Sequence, residues 1–263
     1  MMSDLQLSPE ETERWQSGAA RFQAFVKDEV VKGELLKLDE QDVGPLKLLF
    51  LGEKPSIAFS PSPAISEALR KEGFGMSATF VYDLAVCKAE MIKHKDLFHD
   101  FTDVEAVFTH LDKEFCRDES SIDTVRAGVL LGFPRSDSEG YRQIYLQRQH
   151  LHDELRMLLD VSTDQLHEIL LYKCNMTPKY DRISGSKELV LRKDPPHEIV
   201  PGLSEDRIEQ ALQMWRSRSV GTDRGTGVNV HGMAWTRFGE SPESLLKEER
   251  LKTAMRVSGI LDL

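Results

Sequence analysis

The stretch from Arg216 to Arg237 concentrates residue types that can hold a ligand. Gly221, Gly225 and Gly227 give a backbone that another molecule can approach closely, because no Cβ stands in the way. Their spacing is not that of a nucleotide-binding phosphate loop, nor of the glycine fingerprint that opens a helix in dinucleotide-binding folds. The residues that follow, Val228 to Phe238, read as one strand. Successive side chains on a strand alternate between its faces. If Val228, Val230, Ala234, Thr236 and Phe238 face the core, then Asn229, His231, Met233, Trp235 and Arg237 share the other face. Arg216, Arg218 and Arg224 lie close by in sequence. Guanidinium forks and an aromatic platform suit an anionic or aromatic ligand. The candidate binding set is therefore Arg224, Asn229, His231, Trp235 and Arg237. The competing reading is a hairpin loop and a half-exposed strand, with Trp235 covered by a helix.

Other constellations carry less. His94 with His99, and His150 with His152, do not have the spacing that puts two rings on one helix face, and no H-E-x-x-H occurs. A metal site would need a fold that gathers distant residues. Ser60 and Ser62 stand where a nucleophile can sit, after a strand and before a helix. Their neighbours Pro61 and Pro63 make a rigid helix start the simpler account. Carboxylate pairs such as Glu10-Glu11, Asp153-Glu154 and Glu248-Glu249 read as solvated charge, since acid–base work needs two environments that separate their pKa values. Cys87, Cys116 and Cys174 are odd in number and widely spaced, which predicts three reduced thiols. No cofactor signature is present.

The elements that must position these residues are mostly helical. The most apolar run is Val125 to Leu131, interrupted only by Arg126, with Ser121 as its cap and Gly132-Phe133-Pro134 as its stop. It predicts a short buried helix around which the rest is organised. Ser8-Pro9-Glu10-Glu11 is a capping box opening a helix with Trp15, Ala19, Phe22, Val26 and Val30 on one stripe, ending near Gly33. Residues 46–51 and 56–59 read as strands joined by Gly52-Glu53-Lys54-Pro55. Ser62-Pro63 begins a helix that stops at Gly73. Further helical patterns run from Thr79 to His99, from a capping box at Thr102–Glu105, from another at Ser136–Glu139, and from Ser162–Gln165. A strand is expected at 188–192, a helix capped by Ser204, and a last helix from Ser241-Pro242 to Gly259. The segment Gly128 to Glu139 has the look of a motif but no activity attached to it.

A chain of 263 residues with net charge −10 is long enough for a large core, and its acidity argues against nucleic acid and anionic membranes as partners. No secretory leader is legible at Met1, so a cytoplasmic location is expected. The fold class expected is α+β: a predominantly helical block with a small antiparallel sheet built from N-terminal and C-terminal strands. Residues 1–263 form one domain in this reading, with an alternative division into 1–173 and 174–263. Two function classes follow. One is a non-catalytic protein that binds or regulates a protein partner through its acidic helical surface. The other is a small-molecule enzyme or binding protein that takes an anionic or aromatic ligand at 216–237.

Overall fold

The computed structural model describes residues 7–37, 40–114, 121–174, 200, 202–219, 225–230, 233–238 and 241–260. Twelve helices and five short strands occur among them. Helix α1, Pro9–Phe25, starts on the expected capping box, with the Ser8 hydroxyl accepting from the Glu11 amide and the Glu11 carboxylate from the Ser8 amide. It ends sooner than its stripe suggests. Asp28 accepts from the Val30 and Val31 amides and opens a separate helix, α2, Glu29–Leu35, so Val30 is exposed and Gly33 lies inside α2.

The run 46–51 is not a strand. It is the end of α3, Glu40–Phe50, and Leu46, Leu48, Leu49 and Leu51 are all buried there. A short continuous apolar run fits a buried helix as well as a buried strand, and periodicity alone does not separate them. Gly52 sits at φ +68 and closes α3 in a Schellman motif. Its amide donates to the Leu49 carbonyl, and that of Glu53 to Leu48. This left-handed residue turns the chain so that Glu53 and Lys54 point inward, both 4% exposed.

Strand β1, Ser56–Ala58, is as expected. After α4, Pro63–Lys71, come β2, Gly75–Met76, and β3, Phe80–Tyr82. The three form an antiparallel sheet in the order β1-β3-β2, with Ser56 opposite Tyr82 and Ala58 opposite Phe80. The beginning of the helical pattern expected from Thr79 is thus the central strand. The helix itself, α5, Leu84–Lys93, waits for Asp83, which caps it. A four-residue helix α6, Lys95–Phe98, and α7, Val104–Glu114, follow. Asp103, not Thr102, caps the latter.

The apolar centre of the sequence is α8, Ile122–Leu130, capped by Ser121 and buried from Val125 through Leu130. Arg126 is buried with it because each of its three guanidinium nitrogens has an acceptor. It donates to the Leu97 carbonyl, Asp123 and Asp100, and lies 5.0 Å from the centre of the Phe101 ring. Gly132, at φ +82, closes α8 in a second Schellman motif, through bonds to Val129 and Gly128. The next helix, α9, Arg135–Leu159, begins directly after Pro134, whose carbonyl accepts from the Asp137 and Ser138 amides. Ser136 is not its cap: that hydroxyl bonds Ser241 and Glu243 instead.

The chain divides into two compact units, Met1–Arg142 with Gly225–Leu263, and Gln143–Arg224. In the second, α9, α10 (Thr163–Cys174) and α11 (Glu205–Ser219) enclose an aliphatic core around Leu155, Leu166 and Ile208. Ser162 and Gln165 form the expected capping box of α10. In the first, the C-terminal part of the chain returns to the N-terminal part. Strands β4, Gly225–Val230, and β5, Met233–Phe238, pair antiparallel as a two-stranded sheet of their own, near α3 and the last helix, α12, Pro242–Ser258. The α+β class is as expected. The strands from the two ends of the chain, however, form two sheets rather than one. The strand expected at 188–192 lies outside the described residues.

Helix α12 packs along α1, burying Leu251, Ala254 and Met255 in one cluster with Trp15, Ala19 and Phe22. Gly18 is where α1 crosses the end of α3. A Cβ there would stand 2.4 Å from the Phe50 carbonyl oxygen and 3.0 Å from the Leu51 Cα. Backbone cannot step aside as a flexible side chain can. In an isolated helix Gly→Ala stabilises by about 1 kcal/mol. Here Gly18→Ala should instead lower stability by about 1–3 kcal/mol, as overpacking does. A denaturant midpoint that rises in this variant would show that the two helices do not meet this closely.

Candidate functional site

Five segments of the first unit wall a cavity of about 500 Å³. Helix α1 supplies Arg14, and the turn after α3 supplies Gly52, Glu53 and Pro55. The last turns of α5 bring Glu90, Lys93 and its C-cap residue His94. Gly132-Phe133-Pro134 follow α8, and Glu243, Lys247 and Arg250 lie on α12. The last three recur at helical spacing, so α12 presents them on one side. Both Schellman turns contribute directly. Gly132 fits against Pro55 and Lys54, where a Cβ would come within 3.0 Å of the Pro55 Cδ.

Glu53 is the anchor. Its Oε1 accepts from Arg14 Nη2 at 2.7 Å, from Trp15 Nε1 at 2.9 Å and from Arg250 Nη2 at 2.9 Å, and its Oε2 accepts from Arg250 Nε at 2.8 Å. Arg250 reaches on to Glu11 at 2.6 Å and lies 5.6 Å from the Trp15 ring centre. Burial alone would weaken the Arg250 charge, but the bonds to Glu53 and Glu11 outweigh it and raise its pKa. The Ser8 amide and Arg250 hold the Glu11 carboxyl at about 2. Bonds to ionised groups are the stronger class, so this network fastens α1 and α12 to the turn after α3.

Two lysines beside it lack such partners. Lys54 is buried. Its Nζ donates to the Leu131 carbonyl at 2.6 Å and lies 4.9 Å from the centre of the Phe133 ring. Half-buried Lys247 donates to the Glu53 backbone carbonyl at 2.7 Å. Among the described residues neither has a carboxylate within ion-pair distance. Desolvation lowers the Lys247 pKa, with Glu53 and Glu90 opposing it. Desolvation and the Lys247 charge push Lys54 down to about 7. His94, also buried, is lowered by its own desolvation and by Lys93.

The Lys54 shift has a measurable consequence. Its folded-state pKa, about 7, lies below the ordinary 10.5. Between these values the unfolded chain binds more protons, so stability rises with pH, by up to about 1.4 kcal/mol per unit. Below the folded value the cost is complete and constant. The urea midpoint should therefore climb between about pH 7 and 9, and Lys54→Met should flatten that slope. Above that range Cys87, whose thiol pKa is raised by burial, acts in the opposite sense. An unchanged slope in Lys54→Met would show that this ammonium is not desolvated.

The residues singled out in the sequence fall elsewhere. Arg224 and His231 lie outside the described residues. Asn229, Trp235 and Arg237 are in the β4–β5 pair, but not on one continuous strand. The register pairs Val228 with Trp235, Thr226 with Arg237, and Asn229 with Ala234. Residues opposite each other share a face. Trp235 and Arg237 thus share one face with Val228 and Thr226, and Asn229 belongs to the other. Arg216 and Arg218 sit in the second unit, paired with Glu209 and Glu154. Ser62 acts as the cap of α4. Cys87 is a free, buried thiol that contacts the Pro55 carbonyl at 3.2 Å. Cys116 lies outside the described residues, as does the side chain of Cys174. Of the histidines weighed as ligands, His94 lines the cavity while His99 is bonded to Asp96 and Asp100. His152 packs between His167 and Trp215. No three His, Cys, Asp or Glu side chains are placed to hold a metal ion among the described residues. No helix among them is long and apolar enough to cross a membrane.

No family, curated protein or solved structure matches this chain.

Proposed function

We propose that the protein binds a small anionic molecule in the cavity between α1, α5 and α12. The observation that carries this is Lys247, a desolvated ammonium with one hydrogen bond to a carbonyl and no carboxylate partner among the described residues, open to a cavity of about 500 Å³. That volume is within the range of small-molecule sites. Removing a cation from water is costly unless it is paired. Glu53 is taken by two arginines, so an anion entering the cavity is the natural counter-charge for Lys247, and the exposed part of Arg14 adds a guanidinium. Of the two classes the sequence suggests, this is the small-ligand one, at different residues from those of the C-terminal strands. The net charge of −10 supports a partner set without nucleic acid. We also place the protein in the cytoplasm, where its cysteines stay reduced.

The test is thermal unfolding of the full chain with inorganic phosphate, oxalate and malonate. An anion that binds the folded state raises the midpoint by mass action. Lys247→Met should lose that shift while its unliganded midpoint stays level or rises, since a desolvated charge is gone. No shift with any of the anions, or the same shift in Lys247→Met, would refute the assignment.

A further inference from the structure

We infer that the ligand is an anionic carbonyl compound, a small aldehyde or ketone carrying a carboxylate or phosphate, and that Lys247 holds it covalently as a Schiff base. This rests on the anion-binding reading above and adds a reaction to it. A lysine amine becomes a nucleophile where it is desolvated and free of a carboxylate that would keep it protonated. Lys247 is desolvated, with Glu53 and Glu90 opposing the shift from a distance, and among the described residues no carboxylate lies within ion-pair distance of it. It lines the cavity, so a carbonyl carbon can reach it. Its hydrogen bond to the Glu53 carbonyl at 2.7 Å occupies one N–H direction and leaves the others for the ligand. Lys54 is also desolvated, but it is turned onto Leu131 and Phe133 and does not line the cavity. The structure therefore singles out one amine of the two.

The remaining parts of the site fit the reaction. The Lys247 ammonium gives up one proton, the resulting amine attacks the carbonyl carbon, forming the C–N bond, and the carbonyl oxygen takes up a proton. The resulting carbinolamine loses that oxygen as water while nitrogen gives up its remaining proton, and the C=N double bond forms. Carbonyl and amine yield imine and water, with no oxidant or reductant. The step moves protons to and from one oxygen, which asks for a nearby group able to give and take them. His94 lines the same cavity beside Glu90, with its Nε2 3.5 Å from Glu90 Oε2. Arg14 on α1 and Lys93 on α5 also line the cavity and offer cations for the anionic arm.

The test uses glyoxylate, the simplest anionic aldehyde, at concentrations near that of the protein, with borohydride to reduce any imine, followed by peptide mapping. The expected result is one adduct at Lys247, at least ten-fold above any other lysine, suppressed by excess oxalate and absent from Lys247→Arg. Adduct spread evenly over the exposed lysines, or no reduction product at all, would overturn the covalent assignment. A thermal-unfolding measurement on the same samples separates the two readings. Stabilisation by glyoxylate without an adduct at Lys247 leaves anion binding standing and removes the Schiff base. Neither stabilisation nor adduct removes both. Mapping on the unaltered protein decides the matter even if Lys247→Arg fails to fold.

Discussion

Glu53→Ala should destabilise the protein by about 3–5 kcal/mol, the cost of breaking a buried ion pair by removing one partner. Glu53 is 4% exposed and its carboxylate accepts from Arg14, Trp15 and Arg250. Its removal leaves the Trp15 indole N–H without an acceptor in a site where Trp15 itself has no exposure. Arg250 keeps Glu11 but loses two of its three bonds. Arg14, half in solvent, loses least. Because Glu53 ties α1 and α12 to the turn after α3, the loss should appear as global unfolding at lower denaturant rather than local fraying. Glu53→Gln is the informative companion. It keeps an oxygen for Trp15 but removes the charge, so it should fall between the unaltered protein and the alanine variant. Urea unfolding of both checks the idea. A loss below about 1 kcal/mol for alanine, the size of an exposed pair, would mean that water reaches this carboxylate.

Leu130→Ala should cost about 2–5 kcal/mol, as large-to-small changes in packed cores do. Leu130 has no exposure and shares a cluster with Phe80, Phe108 and Val129. Tyr82 stacks on Phe108 at 4.3 Å in the same cluster, which leaves aromatic rings poorly able to collapse into the space. The main chain at this residue matters too: its carbonyl accepts from the buried Ser56 hydroxyl at 2.8 Å, joining α8 to β1. The variant keeps that bond, so the loss measures side-chain packing alone. A midpoint unchanged within error would show that α8 is not the centre of this core. A variant that also loses anion-dependent stabilisation would show that the cavity wall at Gly132 and Phe133 depends on α8 being seated.

Interactions confined to a few residues were legible in the sequence. Ser8 with Glu11, Ser62 with Pro63, Ser162 with Gln165, and Ser241 with Pro242 each mark a helix start that the structure contains. A cap is a bond between neighbours, so the residue types and their spacing are the whole cause. The stop at Gly132 is of the same kind. So is the burial of Val125 to Leu130, since a helix apolar on nearly every side has no other place to go.

Two levels depended on tertiary structure. At the first, local signals were ambiguous. Leu46 to Leu51 is apolar enough to be buried in either conformation, and packing under α1 made it a helix. Phe80 to Tyr82 continues a helical pattern in sequence, yet pairing with Ser56–Ala58 drew it into a sheet. In the β4–β5 pair, the register that sets Val230 opposite Met233 reversed the parity of the faces and separated Asn229 from Trp235 and Arg237. At the second level no local signal exists. Glu53 and Lys247 are 194 positions apart, and each alone is a charged residue in a turn or on an amphipathic helix. Their meeting requires α12 to return along α1 and two left-handed glycines to turn their loops inward. Charge in a sequence carries no record of its solvation. Only the fold decides which carboxylate is claimed by arginines and which ammonium is left facing a cavity.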